Sequence, residues 1–178
     1  MNDATKQFLN YLEVVKQTSE HTVRNYAIDL NAFIAFLQEQ NNDFKLNSIT
    51  RKSIRAFIAN LSENKKSKAT IARRISSLRS FFKFALSQKL ILENPIEDLE
   101  SPKLDKKIPS SLSYEQVIHL LNQPDLDTYL GVRDRAIMEL FYSSGLRINE
   151  LSSLNRNDFD PVTLLIKLKG KGKKERIV

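Results

Sequence analysis

Between residues 20 and 90 the chain twice repeats its apolar side chains at the spacing of an α-helix. Val23, Tyr26, Ala27, Leu30, Phe33, Ile34 and Leu37 follow one another at three, four and seven residues, which puts them on one side of a helix over about 20–40. Ile71, Ile75, Leu78, Phe82, Ala85 and Leu86 form a second stripe on a helix over about 68–89. Helices of this length, each apolar along one side, have to bury those sides against one another. Hydroxyl residues stand where helices should begin: Ser19 or Thr18, then Thr50 before a helix to about Leu61, then Ser67. A helix over about 4–16, with Phe8, Tyr11, Leu12 and Val15 on one side, completes a four-helix domain over 1–92.

Charge is concentrated in the same region. Residues 51–90 hold eleven bases against the single acid Glu63, so this block carries +10 in a chain whose net charge is +7. Such a block is either the footprint of a polyanionic partner or a solvated basic face. On the 68–89 helix, Thr70, Arg73, Ser77, Ser80 and Ser87 lie opposite the apolar stripe, with Lys83 at the border and Arg74 and Arg79 flanking it. Phe84 falls on the polar side without an evident reason. Small hydroxyl side chains admit a close neighbour, and hydroxyls and arginines both donate to phosphate oxygens. The face and the charge block coincide, which points to DNA. The candidate contacts are Arg51, Lys65, Lys66, Lys68, Thr70, Arg73, Arg74, Ser77, Ser80 and Lys83.

Residues 93–112 contain Pro95, Pro102 and Pro109 and no glycine, a composition suited to an extended linker. Beyond it, Ser113 with Gln116 forms a capping-box pattern. Helices are expected to about Asn122, over 128–143 and over 146–154, with Gly145 in the left-handed position between the last two. Residues 163–168 read as a strand, "KGKGKK" as a turn and "ERIV" as a returning strand. No cysteine is present, so neither a disulfide framework nor a thiolate metal site is available. The absence of cysteine fits a cytoplasmic protein, and the N-terminus does not read as a signal peptide.

Arg147 stands in the middle of "FYSSGLRINELSSL". In the first turn of a helix a cation opposes the macrodipole by a few tenths of a kcal/mol, up to roughly 1. Two readings follow. One is a surface pair with Glu150, three residues on. The other is an anion site made from the guanidinium and the N–H groups of a helix start.

The stretch "RDRAIMELFYSSGLRINELSSLNRNDFD" followed by "KGKGKKERIV" resembles the tyrosine recombinase (phage integrase) family, and within it the Xer-type resolvases. "SEHTVRNYAIDLNAFIAFL" and "ARRISSLRSFFKFALSQKLILENPIEDLESPK" look like that family's helical core-binding domain. The resemblance implies a mainly α fold: a four-helix, SAM-like core-binding domain, then part of an α+β catalytic domain over 113–178. It implies site-specific DNA recombination through a 3′-phosphotyrosyl intermediate, without metal or nucleotide cofactor. It implies double-stranded DNA as partner, and a second recombinase subunit or a homotetramer in the full-length family. Arg147 matches the family's first catalytic arginine, Lys171 its catalytic lysine, and Glu150 a position that supports the arginine. Lys169, Lys173, Lys174 and Arg176 are then expected to hold backbone phosphates. A helix-turn-helix regulator would explain the basic block but neither "GLRINEL" nor "GKGKKER".

The family's other catalytic groups are a His-x-x-Arg motif, a further His or Trp, and the nucleophilic tyrosine. None is matched here. The histidines are His21 and His119, and the tyrosines Tyr11, Tyr26, Tyr114, Tyr129 and Tyr142 all precede Arg147. The expectation is a C-terminally truncated recombinase that cannot cleave DNA alone. The alternative is a non-catalytic DNA-binding fragment.

Overall fold

Hydroxyl caps open the helices at the expected places. In the computed structural model, which describes residues 2–41, 44–104, 110–169 and 175–178, Ser19 Oγ accepts from the Thr22 N–H at the start of α2 (Glu20–Gln40). Thr50 accepts from Ser53 N–H ahead of α3 (Arg51–Glu63), and Ser67 from Thr70 N–H ahead of α4 (Lys68–Ser87). Each bond satisfies one of the donors that a helix start leaves without an internal partner. Thr18 has the complementary task. Its N–H and its hydroxyl both donate to the Leu12 carbonyl, closing the preceding helix.

That preceding helix differs from the expected 4–16 element. α1 (Asn2–Asn10) passes into a π-helical turn, Tyr11–Val15, in which Lys16 N–H reaches the Tyr11 carbonyl at 3.0 Å. A π turn winds more slowly than an α turn. Val15 therefore leaves the buried side and is 65% exposed, while Phe8 and Leu12 stay buried.

The chain separates into two units, Met1–Lys107 and Ile108–Val178. The first has a core rich in phenylalanine. Phe8, Phe33, Phe57, Phe81 and Phe82 are essentially fully buried, together with Leu30, Ile54, Ile75 and Leu78. Their rings meet tilted or edge-on, at 5.1 Å for Phe33–Phe57 and 5.3 Å for Phe81–Phe82, the geometry that ring quadrupoles favour. Helix α4 is flanked by α2 and also by α1. This resolves Phe84: it is buried against Phe8 at 5.3 Å and Tyr11 at 5.0 Å. Leu86, expected inside, is 39% exposed.

The first unit also takes in part of the expected 93–112 linker. Ile91 and Ile96 join its core. Asn94 Oδ1 accepts from Ile96 N–H, turning the chain, and Arg79 Nη2 donates to the Leu99 carbonyl at 2.7 Å. Ile96, directly after Pro95, is fully buried in the core of the helical unit, which linker composition alone does not reveal.

The second unit opens with α5 (Tyr114–Leu121), where the Ser113–Gln116 capping box forms in both directions. Then come α6 (Tyr129–Ser144), the single turn α7 (Ile148–Ser152), and the strands β1 (Phe159–Asp160), β2 (Leu165–Lys169) and β3 (Glu175–Ile177). The strands form an antiparallel sheet in the order β1-β2-β3. β1 lies ahead of the two strands that the sequence suggested. The Asp160 carboxylate draws the chain back by accepting from Val162 N–H, Thr163 N–H and the Thr163 hydroxyl. Leu146, Ile166 and Leu168 make a small core, with Leu140, Phe141, Leu151, Leu154 and Val178 against it. Gly131 sits in the first turn of α6 where the 125–128 turn passes: a Cβ there would lie 1.8 Å from the Asp125 carbonyl oxygen. Among the described residues, no helix is long and apolar enough to cross a membrane.

Candidate functional site

Gly145 ends α6 in the left-handed conformation, φ 61°. Leu146 then turns into the small core at 6% exposure. Arg147 follows in extended backbone, φ −84° and ψ 150°, as the N-cap of α7 and not inside its first turn. It therefore escapes part of the dipole penalty that the sequence suggested. Its backbone N–H donates to Glu150 Oε2 at 2.8 Å, and its Nη1 donates to Oε1 at 2.9 Å. Glu150 is buried (6% exposed), whereas the Arg147 side chain is 76% exposed. The pair is thus anchored at its acid end and open at its basic end.

A third donor completes the arrangement. Arg176 Nη2, on β3, donates to Glu150 Oε2 at 2.8 Å and to the Gly145 carbonyl at 3.3 Å. Arg176 had been expected to face a phosphate; its guanidinium instead ties the last strand to the α6–α7 corner. These contacts lower the Glu150 pKa to about 2. The Arg147 N–H contributes most, then the Arg176 hydrogen bond, and together with the Arg147 side chain they outweigh desolvation. Two guanidiniums on one carboxylate leave the cluster with one net positive charge. A guanidinium has five donors in a planar fork. Among the described residues only Nη1 of Arg147 is engaged, so the rest of the fork can address an anion from solvent. The helix start itself is a poor contributor, because α7 is a single turn and the Arg147 N–H is already given to Glu150. Lys171, Lys173 and Lys174 lie outside the described residues.

In the first unit the expected basic candidates divide. Lys65, Lys66, Lys68 and Lys83 are exposed. Lys65 has φ 53° and closes the end of α3, where Lys66 N–H bonds the Leu61 carbonyl. Arg51 is paired with Asp98. Thr70 is half-buried, its hydroxyl 2.9 Å from that of Ser67. Ser77 and Ser80 do not present an open face. Ser77 is 4% exposed and donates to Asp29 Oδ2 at 2.7 Å, and Ser80 is hydrogen-bonded to the Tyr26 hydroxyl at 3.3 Å. The close neighbour admitted by these small residues is α2, not a nucleic acid.

Sequence reasoning missed Asp29 altogether. It is 1% exposed and accepts from Arg73 Nη1 at 2.6 Å, with Arg74 Nε at 3.6 Å from its other oxygen. The available signal was its place on the α2 stripe, three residues after Tyr26 and four before Phe33, opposite a helix carrying two consecutive arginines.

Comparison with known proteins gives the same division of the chain. Residues 5–89 match the family model for the phage integrase N-terminal SAM-like domain, and residues 110–178 that for the phage integrase family. The chain is 45% identical over 188 residues to the tyrosine recombinase XerC of Chlamydia pneumoniae, covering 96% of this chain and 60% of that protein. It is 41% identical over 184 residues to the XerC of Syntrophus aciditrophicus, covering 100% and 59%. The chain thus spans about 60% of the length of these curated relatives. Among solved structures, a lambda integrase dimer bound to a COC′ core site superposes with a TM-score of 0.77 at 20% identity, over 100% of this chain and 61% of that one. A lambda integrase tetramer bound to a Holliday junction gives 0.78 at 19% identity, over 99% and 48%. The fold is therefore theirs: mainly helical, a SAM-like domain followed by part of an integrase catalytic domain. With the four-helix unit inside one family model and the Arg147–Glu150 corner inside the other, the chain belongs to the phage integrase family, the tyrosine recombinases.

Proposed function

We propose that this chain holds duplex DNA and grips one scissile phosphate for site-specific recombination of the Xer type, whether chromosome-dimer resolution or DNA integration. The observation that carries the reading is Arg147: an exposed guanidinium whose backbone and one Nη are fixed by a buried carboxylate. In the proposed reaction the family's nucleophilic tyrosine, which none of this chain's five tyrosines matches, gives up its phenolic proton to a base and forms a bond to phosphorus through its oxygen while the bond to the 5′-oxygen breaks. Negative charge gathers on the non-bridging oxygens. A fork held in advance stabilises that charge more than it stabilises the ground state, and a planar fork can take two oxygens together. Lys171 is proposed to give its proton to the departing 5′-oxygen. Glu150 touches no substrate in this scheme; it keeps the arginine aimed. Lys65 and Lys66 just after α3, and Lys68 and Lys83 of α4, with Arg73 and Arg74, are proposed to hold the flanking duplex. The proposed assembly on DNA is with further recombinase subunits, in the cytoplasm.

The test is binding of duplex DNA across about 50–200 mM salt. Several phosphate contacts produce a steep negative slope of log affinity against log salt. R147Q should reduce the magnitude of that slope by about one. A flat response in the unsubstituted chain would overturn the reading.

A further inference from the structure

Asp29 carries an inference that rests on the DNA-binding reading and goes beyond it. Its side chain is completely buried, in the interface between α2 and α4. A buried carboxylate with cationic partners is weak evidence for stability, since apolar replacements often serve as well or better. The bonding of this one is also asymmetric. Oδ2 accepts two short bonds, from Arg73 Nη1 at 2.6 Å and from Ser77 Oγ at 2.7 Å. Oδ1 has no hydrogen bond among the described residues, and neither has Arg74 Nε, which stands 3.6 Å away. Two buried, complementary atoms thus face each other just beyond bonding distance.

The outer ends of the two arginines are accessible to different degrees. Arg73 is 46% exposed and Arg74 16% exposed. Arg74 lines a cleft of about 230 Å³ whose polar wall is Lys66, Asn60, Asn64 and the acidic Glu39. Consecutive residues on a helix point about 100° apart, so left alone these two guanidiniums would diverge. One carboxylate between them draws both toward the α2 side and leaves a net charge of +1 on the group.

We propose that Asp29 is a positioning residue, orienting Arg73 and Arg74 on α4 so that both guanidiniums address the DNA backbone. It touches no DNA. Phosphate binding at the outer face of Arg74 completes the Arg74 Nε–Asp29 Oδ1 bond, so the internal ion pair and the phosphate contact form together.

The sign of one substitution separates this from a simpler role. D29N keeps the shape and an oxygen acceptor but removes the negative charge. If Asp29 only offsets positive charge, D29N leaves two uncompensated guanidiniums and tightens DNA binding with a steeper salt slope. If it positions them, D29N weakens binding of a duplex by about 5–10-fold at 100 mM salt, and the slope magnitude falls by about one as a phosphate contact is lost. S77A, which keeps the charge and removes one of the two Oδ2 bonds, should weaken binding about 2–3-fold. Circular dichroism melts of the full chain report whether each variant folds. If D29N does not fold, S77A decides, and an unchanged affinity for it overturns the proposal. A steep slope in the unsubstituted chain with equal or tighter binding by D29N overturns the positioning role alone. No salt-dependent binding in the unsubstituted chain overturns the DNA reading on which it rests.

Discussion

Replacing Ile96 with alanine tests whether the segment after α4 is linker or core. Ile96 is 0% exposed, while Leu92, four residues earlier, is 93% exposed. Removing three carbons from a buried isoleucine forfeits about 2.5 kcal/mol of transfer energy, at ~0.8 kcal/mol for each buried methylene. A residual cavity adds on the order of 1 kcal/mol more, because the surrounding helices close only in part. For a unit of roughly 100 residues, 1 kcal/mol corresponds to about 5 °C, so I96A should lower the melting temperature of the helical unit by roughly 15–20 °C. The assay is thermal unfolding followed by circular dichroism at the helical band. L92A, made in parallel, should move the curve by no more than about 0.5 kcal/mol. Equal, small shifts for the two variants would refute the argument and return the segment to the status of a tether.

Three further outcomes follow from the second unit. Glu150 titrates at about 2 where 4.5 is ordinary. A depressed carboxylate contributes stability above its unfolded value that is lost as pH falls through the folded one, so the Arg147–Glu150–Arg176 tether should persist at pH 3 and loosen toward pH 2. Arginine Nε–H resonances that collapse between pH 5 and 4 would contradict this. G131A should destabilise the unit by about 1–3 kcal/mol in a chemical melt, since its Cβ meets a backbone carbonyl that cannot swing aside. G145A meets no atom within 4 Å and should cost only the left-handed backbone, about 1–2 kcal/mol, with G145N recovering part of it.

What could be read from the sequence was what neighbouring residues decide for one another. Ser19, Thr50, Ser67 and Ser113 mark helix starts because the capping bond spans only three residues. Gly145 marks a helix end because few other residues accept its φ. The motif around Arg147 located a site, and its partner Glu150 was named because i and i+3 share a helix face. Packing between distant segments was not legible in this way. Phe84 looked misplaced because periodicity describes a helix with one buried side, and α4 is covered by α1 as well as α2. Ser77 and Ser80 looked like a surface because nothing local says that α2 crosses there, and Asp29, 44 residues from Arg73, gives no sign of its partner. Arg176 was read as a phosphate ligand because the strand pairing that carries it to Glu150 is a tertiary fact. β1 was missed because two residues are too few to show alternation.

The wide turn at Tyr11–Val15 gives the N-terminal helix some slack. It fits an additional residue into the helix after Phe8 has been seated, within the turn that carries the buried Leu12, just before Thr18 closes the end. Losing one residue there would let the segment wind as an ordinary α-helix with both anchors in place. The same loss within α4 would swing every later side chain by about 100° and pull Phe81, Phe82 and Phe84 from their neighbours. Changes in chain length can thus be absorbed at this one end, upstream of the helices whose facing is fixed.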